Sequence, residues 1–105
     1  MNITTLGSGS SGNGYVIQND HEALIIECGI NYKYAVEALH GNVGKVNGCL
    51  VTHSHGHHAG FLIQYAKAFN VYATRGTLEE KGIKPDTFIT AQFRCFVSLW
   101  SAILL

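Results

Sequence analysis

The sequence predicts an α+β fold, a mixed sheet with helices on one face. Three observations carry this reading. Strand-like segments and a hairpin come first, and then a helix, a strand, a second helix and a further strand follow, an order that mixes antiparallel with parallel pairing. The chain has 105 residues, which suits one small domain with a modest core. Hydrophobic residues make up 47% and charged residues 13%. The charged share is about half the usual ~25%, so the composition is that of a packed chain and not a disordered one.

Each element has its own signal. Residues 2–6 read as a strand, and residues 7–14, all Gly, Ser and Asn, as a turn-rich loop. Residues 15–18 resume a strand, residues 19–22 form a hairpin turn, and residues 23–28 make a third strand rich in Ile and Leu. Asn31 is placed to cap a helix that runs to about His40, with Tyr34, Ala35, Ala38 and Leu39 on one face. Gly41 to Gly44 end it, and residues 48–52 form a fourth strand. Residues 58–69 are helix-like, with Phe61, Leu62, Tyr65, Ala66 and Phe69 as the buried stripe. Residues 70–74 read as a fifth strand and residues 77–81 as a short helix before Gly82. The face of the sheet opposite the helices needs a partner layer, and the rest of the chain offers none.

The chemistry concentrates after the fourth strand. His53-Ser54-His55-Gly56-His57-His58 holds four of the six histidines. Imidazole is the commonest protein ligand for zinc and related divalent ions. A buried strand fixes the first ligand, and a Gly-containing loop curls the others around the ion. The segment is interior and interrupted by Ser and Gly, unlike a purification tag.

Gly7-Ser8-Gly9-Ser10-Ser11-Gly12 matches G-x-G-x-x-G literally, but a dinucleotide turn must open a helix. Here Tyr15-Val16-Ile17 favour a strand, so the dinucleotide-binding reading is set aside. The Ser hydroxyls and backbone N–H groups remain candidates for contact with an anionic substrate.

Seven basic and seven acidic residues give zero net charge. That lends no electrostatic support to nucleic acid and leaves only a substrate held by metal and phosphate. The three cysteines are odd in number and widely spaced, and Cys28 and Cys49 lie in apolar runs. They read as buried thiols of a reducing, cytoplasmic compartment. No signal peptide is visible at Met1. The apolar tail from Phe93 is shorter than the roughly 20 residues of a membrane-spanning helix, so no membrane partner is expected.

In order and spacing, the Gly7–Asn13 loop between two strands, the Glu27-Cys28-Gly29 strand end and Thr52-His53-Ser54-His55-Gly56-His57-His58 resemble the metallo-β-lactamase superfamily. The branch it is most similar to is that of intracellular, DNase-like metal-dependent hydrolases. The resemblance covers residues 1 to about 84 and implies the N-terminal half of an αββα sandwich. The family motif is H-x-H-x-D-H. It implies His53 and His55 as ligands of a first metal and His58 as a ligand of a second. It implies Ser10, Ser11 and Asn13 as substrate-binding residues. Zinc is the implied ion, with manganese as the alternative.

Two departures accompany it. His57 stands where the family has an aspartate, so the second site lacks a negative charge and His57 is a doubtful catalytic group. Glu27 stands in place of an Asp that supports the ligand loop, one methylene longer and still within reach of an outer hydrogen bond. After His58 the sequence has no histidine, and Asp86 is its only aspartate, so the later family ligands are missing. Residues 85–105 read as an atypical apolar tail from truncation or frameshift.

The expectation is a zinc-dependent hydrolase of phosphodiester or nucleic-acid type, impaired or inactive as this chain. The alternative is a non-catalytic metal-binding fragment completed by another chain. Self-association through the uncovered sheet face is expected. His21 reads as solvated, His40 as a favourable cation near a helix C-terminus, and the five tyrosines as core or rim aromatics.

Overall fold

The computed structural model describes residues 1–52, 60–73 and 89–90. Six strands form one sheet in chain order: β1 (Asn2–Gly9), β2 (Gly12–Gln18), β3 (Ala23–Ile26), β4 (Val46–Val51), β5 (Val71–Ala73) and β6 (Ile89–Thr90). The β1–β2 and β2–β3 pairs are antiparallel, and β3–β4, β4–β5 and β5–β6 are parallel. The expected mixed sheet is present. β6 lies inside the segment read as a tail.

The helices are α1 (Tyr32–Ala38) and α2 (Leu62–Ala68). Asn31 caps α1, its side chain accepting from the Lys33 N–H at 3.1 Å. The helix stops where His40 and Gly41 turn left-handed, at φ 53° and 80°. Of the face expected to be buried, Ala35 and Leu39 are buried, but Tyr34 is exposed, with the Lys33 ammonium over its ring. The α2 stripe holds: Leu62, Tyr65 and Phe69 are buried, and Phe61 and Ala66 pack against the same core.

Strand alternation sorts the core. Val16, Ala23, Ile25, Cys49, Val51, Val71 and Ala73 join the helix residues on one side, while Ile17, Leu24 and Leu50 form a second cluster with Ile26 and Tyr72. Burial on both faces explains why β3, β4 and β5 read as continuous apolar runs. It also corrects the expectation of an uncovered second face. Leu24, Leu50 and Ile17 are only 0%, 2% and 4% exposed within the single chain.

The largest difference from the sequence reading is at residues 7–14. These are not a loop. β1 runs to Gly9 and β2 starts at Gly12, so only Ser10 and Ser11 make the turn. Close packing against Gly29 and Ile30 decides this over the low strand preference of Gly. A Cβ on Gly12, at φ 129°, would sit 2.3 Å from the Gly29 carbonyl oxygen. The hairpin also removes the dinucleotide reading, because a strand and not a helix follows the glycines. A short 3-10 turn, Val43–Lys45, fills part of the stretch expected only to end α1. The helix expected at 77–81 lies outside the described residues.

Candidate metal centre

The parallel pairing of β3 with β4 brings their carboxyl ends together, and β2, antiparallel to β3, sets the Ser10-Ser11 turn at that same end. The histidine segment leaves β4 there. Ligands in sheets with parallel strands collect at such carboxyl ends. His53, His55, His57 and His58 themselves lie outside the described residues. What is described is the frame around them.

That frame is built on one dipeptide. β3 ends because Glu27 adopts φ 68°, a left-handed conformation unusual for a residue with a side chain. Its own N–H still bonds the Leu50 carbonyl at 2.8 Å. The turn swings the side chain back into the structure, where Glu27 is 3% exposed and its Oε1 accepts from the Thr52 N–H at 2.7 Å. Thr52 is the residue before His53. On the other side of the segment, the Phe61 N–H donates to the Cys28 carbonyl at 2.9 Å. Consecutive residues therefore hold the start and the finish of the histidine segment. The expected outer hydrogen bond from Glu27 goes to the backbone that introduces the ligands.

Two further bonds lock α2 to this corner. The buried Tyr65 hydroxyl donates to the Ile30 carbonyl at 2.8 Å, and the Gln64 side chain accepts from the Tyr32 N–H at 3.4 Å. The role of Tyr65 as an anchor went unread in the sequence. The signal was there, since a buried tyrosine hydroxyl must find a partner.

Beneath the corner, Cys28, Cys49 and Tyr65 share the core. A hydrogen bond from Cys28, together with burial, raises the Cys49 thiol well above its ordinary value, and burial raises the Tyr65 hydroxyl. Both thiols are free and buried, so they serve as neutral packing groups.

The substrate candidates are also placed. Ser10 and Ser11 are exposed at the hairpin turn, and Asn13 is half-buried, its carbonyl accepting from the Gly29 N–H at 2.9 Å. That bond ties the hairpin tip to the residues next to Glu27 and Cys28. His21 and His40 are exposed and away from this end. Among the described residues no three His, Cys, Asp or Glu side chains converge as a metal group.

This arrangement is the N-terminal part of the metallo-β-lactamase fold. The B3 metallo-β-lactamase BLEG-1 superimposes with a TM-score of 0.61 at 24% identity, over 74% of this chain and 39% of that one. A chemotaxis sensor, ODP, solved as a peroxy diiron species, gives a TM-score of 0.64 at 12% identity, over 84% of this chain and 39% of that one. The sequence matches the family described as anti-Pycsar protein Apyc1 over residues 1–104, and the chain belongs to that family. It is 34% identical over 71 residues to the anti-Pycsar protein Apyc1 of Saccharibacillus brassicae, covering 62% of this chain. It is 35% identical over 83 residues to the exodeoxyribonuclease YycJ of Bacillus anthracis, covering 73% of this chain. The chain spans 29% and 31% of the lengths of these two relatives.

Proposed function

We propose that this chain carries the metal-binding half of a metal-dependent hydrolase that cleaves phosphodiesters. The observation that carries the reading is the double tether of the histidine segment, to the Glu27 side chain at Thr52 and to the Cys28 carbonyl at Phe61. A loop whose two ends are fixed has little freedom left to lose when its side chains gather on an ion. The donor set fits a divalent transition metal: four imidazoles within six residues suit zinc, and also iron or manganese. His53 and His55 hold the first ion and His58 the second.

A bound zinc ion supplies Lewis acidity and a water nucleophile near neutral pH. Glu27 fixes the backbone from which His53 projects. Ser10, Ser11 and Asn13, on the hairpin tip at the same end of the sheet, orient an anionic oxygen of the substrate. His57, in the position of the family aspartate, brings no negative charge to the second site, which is weak for that reason. The phosphodiester class is supported by the exodeoxyribonuclease relative. Zero net charge gives a long polyanion no electrostatic assistance. The buried, free thiols of Cys28 and Cys49 support a reducing, cytoplasmic setting. No helix of the described residues is long and apolar enough to cross a membrane.

A second reading is favoured by the absence of any histidine after His58: a metal-binding fragment whose remaining donors come from another chain. Metal analysis after dialysis tests the shared part. About one divalent ion per chain is expected, as for a histidine cluster of this kind, and His53→Ala with His55→Ala should remove it. Equal metal in both proteins would overturn the proposal. Turnover of a chromogenic phosphodiester, dependent on added metal, then separates the hydrolase from the fragment. The chain alone should turn over slowly, if at all.

A further inference from the structure

We infer that β1 is a dimerisation edge, at which a second copy of this chain adds its own β1 antiparallel to form one continuous sheet. β1 ends the sheet and, among the described residues, pairs with β2 alone. An edge strand presents a row of N–H and C=O groups to any chain that can reach them, and proteins that stay monomeric blunt such edges with charge, proline or a bulge. This edge has almost none of that. No Asp, Glu, Lys or Arg side chain occurs before Asp20, and no proline before Pro85. The one irregularity is the register shift between Thr5 and Gly7, which leaves Asn2 to Thr5 straight.

The side chains favour a copy of the same strand as the occupant. Two of the four exposed large hydrophobic residues described, Met1 and Ile3, sit here, each 65% exposed. Antiparallel pairing of identical strands across a twofold axis normal to the sheet must match residues that share a face. The register centred on Ile3 does so. It sets Ile3 against Ile3 of the copy, Met1 against Thr5, and Asn2 against Thr4. Ile3 is opposite Ile17 of β2, so the two exposed isoleucines meet on the side of the second core cluster, Ile17, Leu24 and Leu50. A foreign strand would gain the backbone bonds but not this self-matching apolar pair. Because Ile17, Leu24 and Leu50 are already buried, self-association falls to the edge and not to the open face that the sequence suggested.

The test is sedimentation of the full 105-residue chain over a range of concentrations. A concentration-dependent dimer is expected. Ile3→Lys puts like charges directly opposite each other and should weaken it about tenfold or more. Ile63→Lys, on the exposed side of α2, should leave it intact. Ile3→Cys should cross-link the dimer under mild oxidation, read on a non-reducing gel in a background with Cys28, Cys49 and Cys95 unchanged. That variant also decides the matter if Ile3→Lys does not fold. A wild-type chain that stays monomeric, or a dimer indifferent to both Ile3 substitutions, overturns the inference.

Discussion

The histidine segment starts and finishes on neighbouring residues, but the two attachments differ in kind. At the start, the Thr52 N–H is held by a side chain, Glu27 Oε1. At the finish, the Phe61 N–H is held by a backbone carbonyl, that of Cys28, and α2 behind it is fixed by the Tyr65 hydroxyl and a buried stripe. The first tether depends on what residue 27 is. The second depends on where the backbone runs, and any residue at 28 keeps it as long as α2 stays packed. A single substitution can therefore release the start of the segment, whereas the finish yields only with the core.

The largest effect should come from Glu27→Ala. It removes the acceptor at Thr52 while keeping a Cβ in the left-handed backbone. Metal affinity should fall roughly ten- to hundredfold, the usual cost of losing an outer partner of a metal ligand. Thermal unfolding should show a loss of only about 1–3 kcal/mol. Calorimetric titration of the folded variant checks this, and unchanged affinity would break the proposed asymmetry between the tethers.

His57→Asp acts between the tethers, on the ligands. Restored negative charge should tighten a second metal by about tenfold or more, since carboxylates are the usual partners of closely spaced cations. Titration stoichiometry reads it directly, and an unchanged stoichiometry and affinity in a folded variant count against the two-site reading.

The smallest effect belongs to the finish. Tyr65→Phe removes the bond to Ile30 and should cost about 1 kcal/mol, a drop of roughly 4–8 °C in Tm, with metal affinity little changed. It should also alter the response to alkali. Burial raises the Tyr65 hydroxyl above its ordinary 10.0, so the folded chain keeps a proton that the unfolded chain gives up. This stabilising difference is whole below about pH 10 and is lost as pH climbs beyond it. The raised Cys49 thiol, ordinarily at 9.0, adds a loss that starts about a unit lower. The variant's Tm should therefore fall less steeply above pH 10 than that of the wild type. Parallel curves would show that Tyr65 does not carry the alkaline loss.

Much of the fold was legible because period and propensity agreed. The apolar runs of β3, β4 and β5, the Asn31 cap and the α2 stripe are all local signals. The position of the histidines after β4 was legible for the same reason. What escaped the sequence depended on distant partners. Gly7 and Gly12 read as loop, and they lie in strands because Gly29 and Ile30 leave room for nothing larger. Tyr34 matched the helical period and still faces solvent. The buried second face could not be read from strands that alternate within one apolar run. At the site, the Glu27 side chain was singled out by its place at a strand end. The Cys28 carbonyl was invisible, since a backbone group leaves no mark on the residue type.

The left-handed backbone of Glu27 has one more consequence. An L-residue there costs about 1 kcal/mol or more relative to glycine. A stability screen blind to function would therefore select Glu27→Gly early, and it would reward a protein that melts later and grips its histidine segment less. Thermostability and site integrity pull against each other at this one position, so ranking variants of this chain by melting temperature alone would favour those that have let go of the metal.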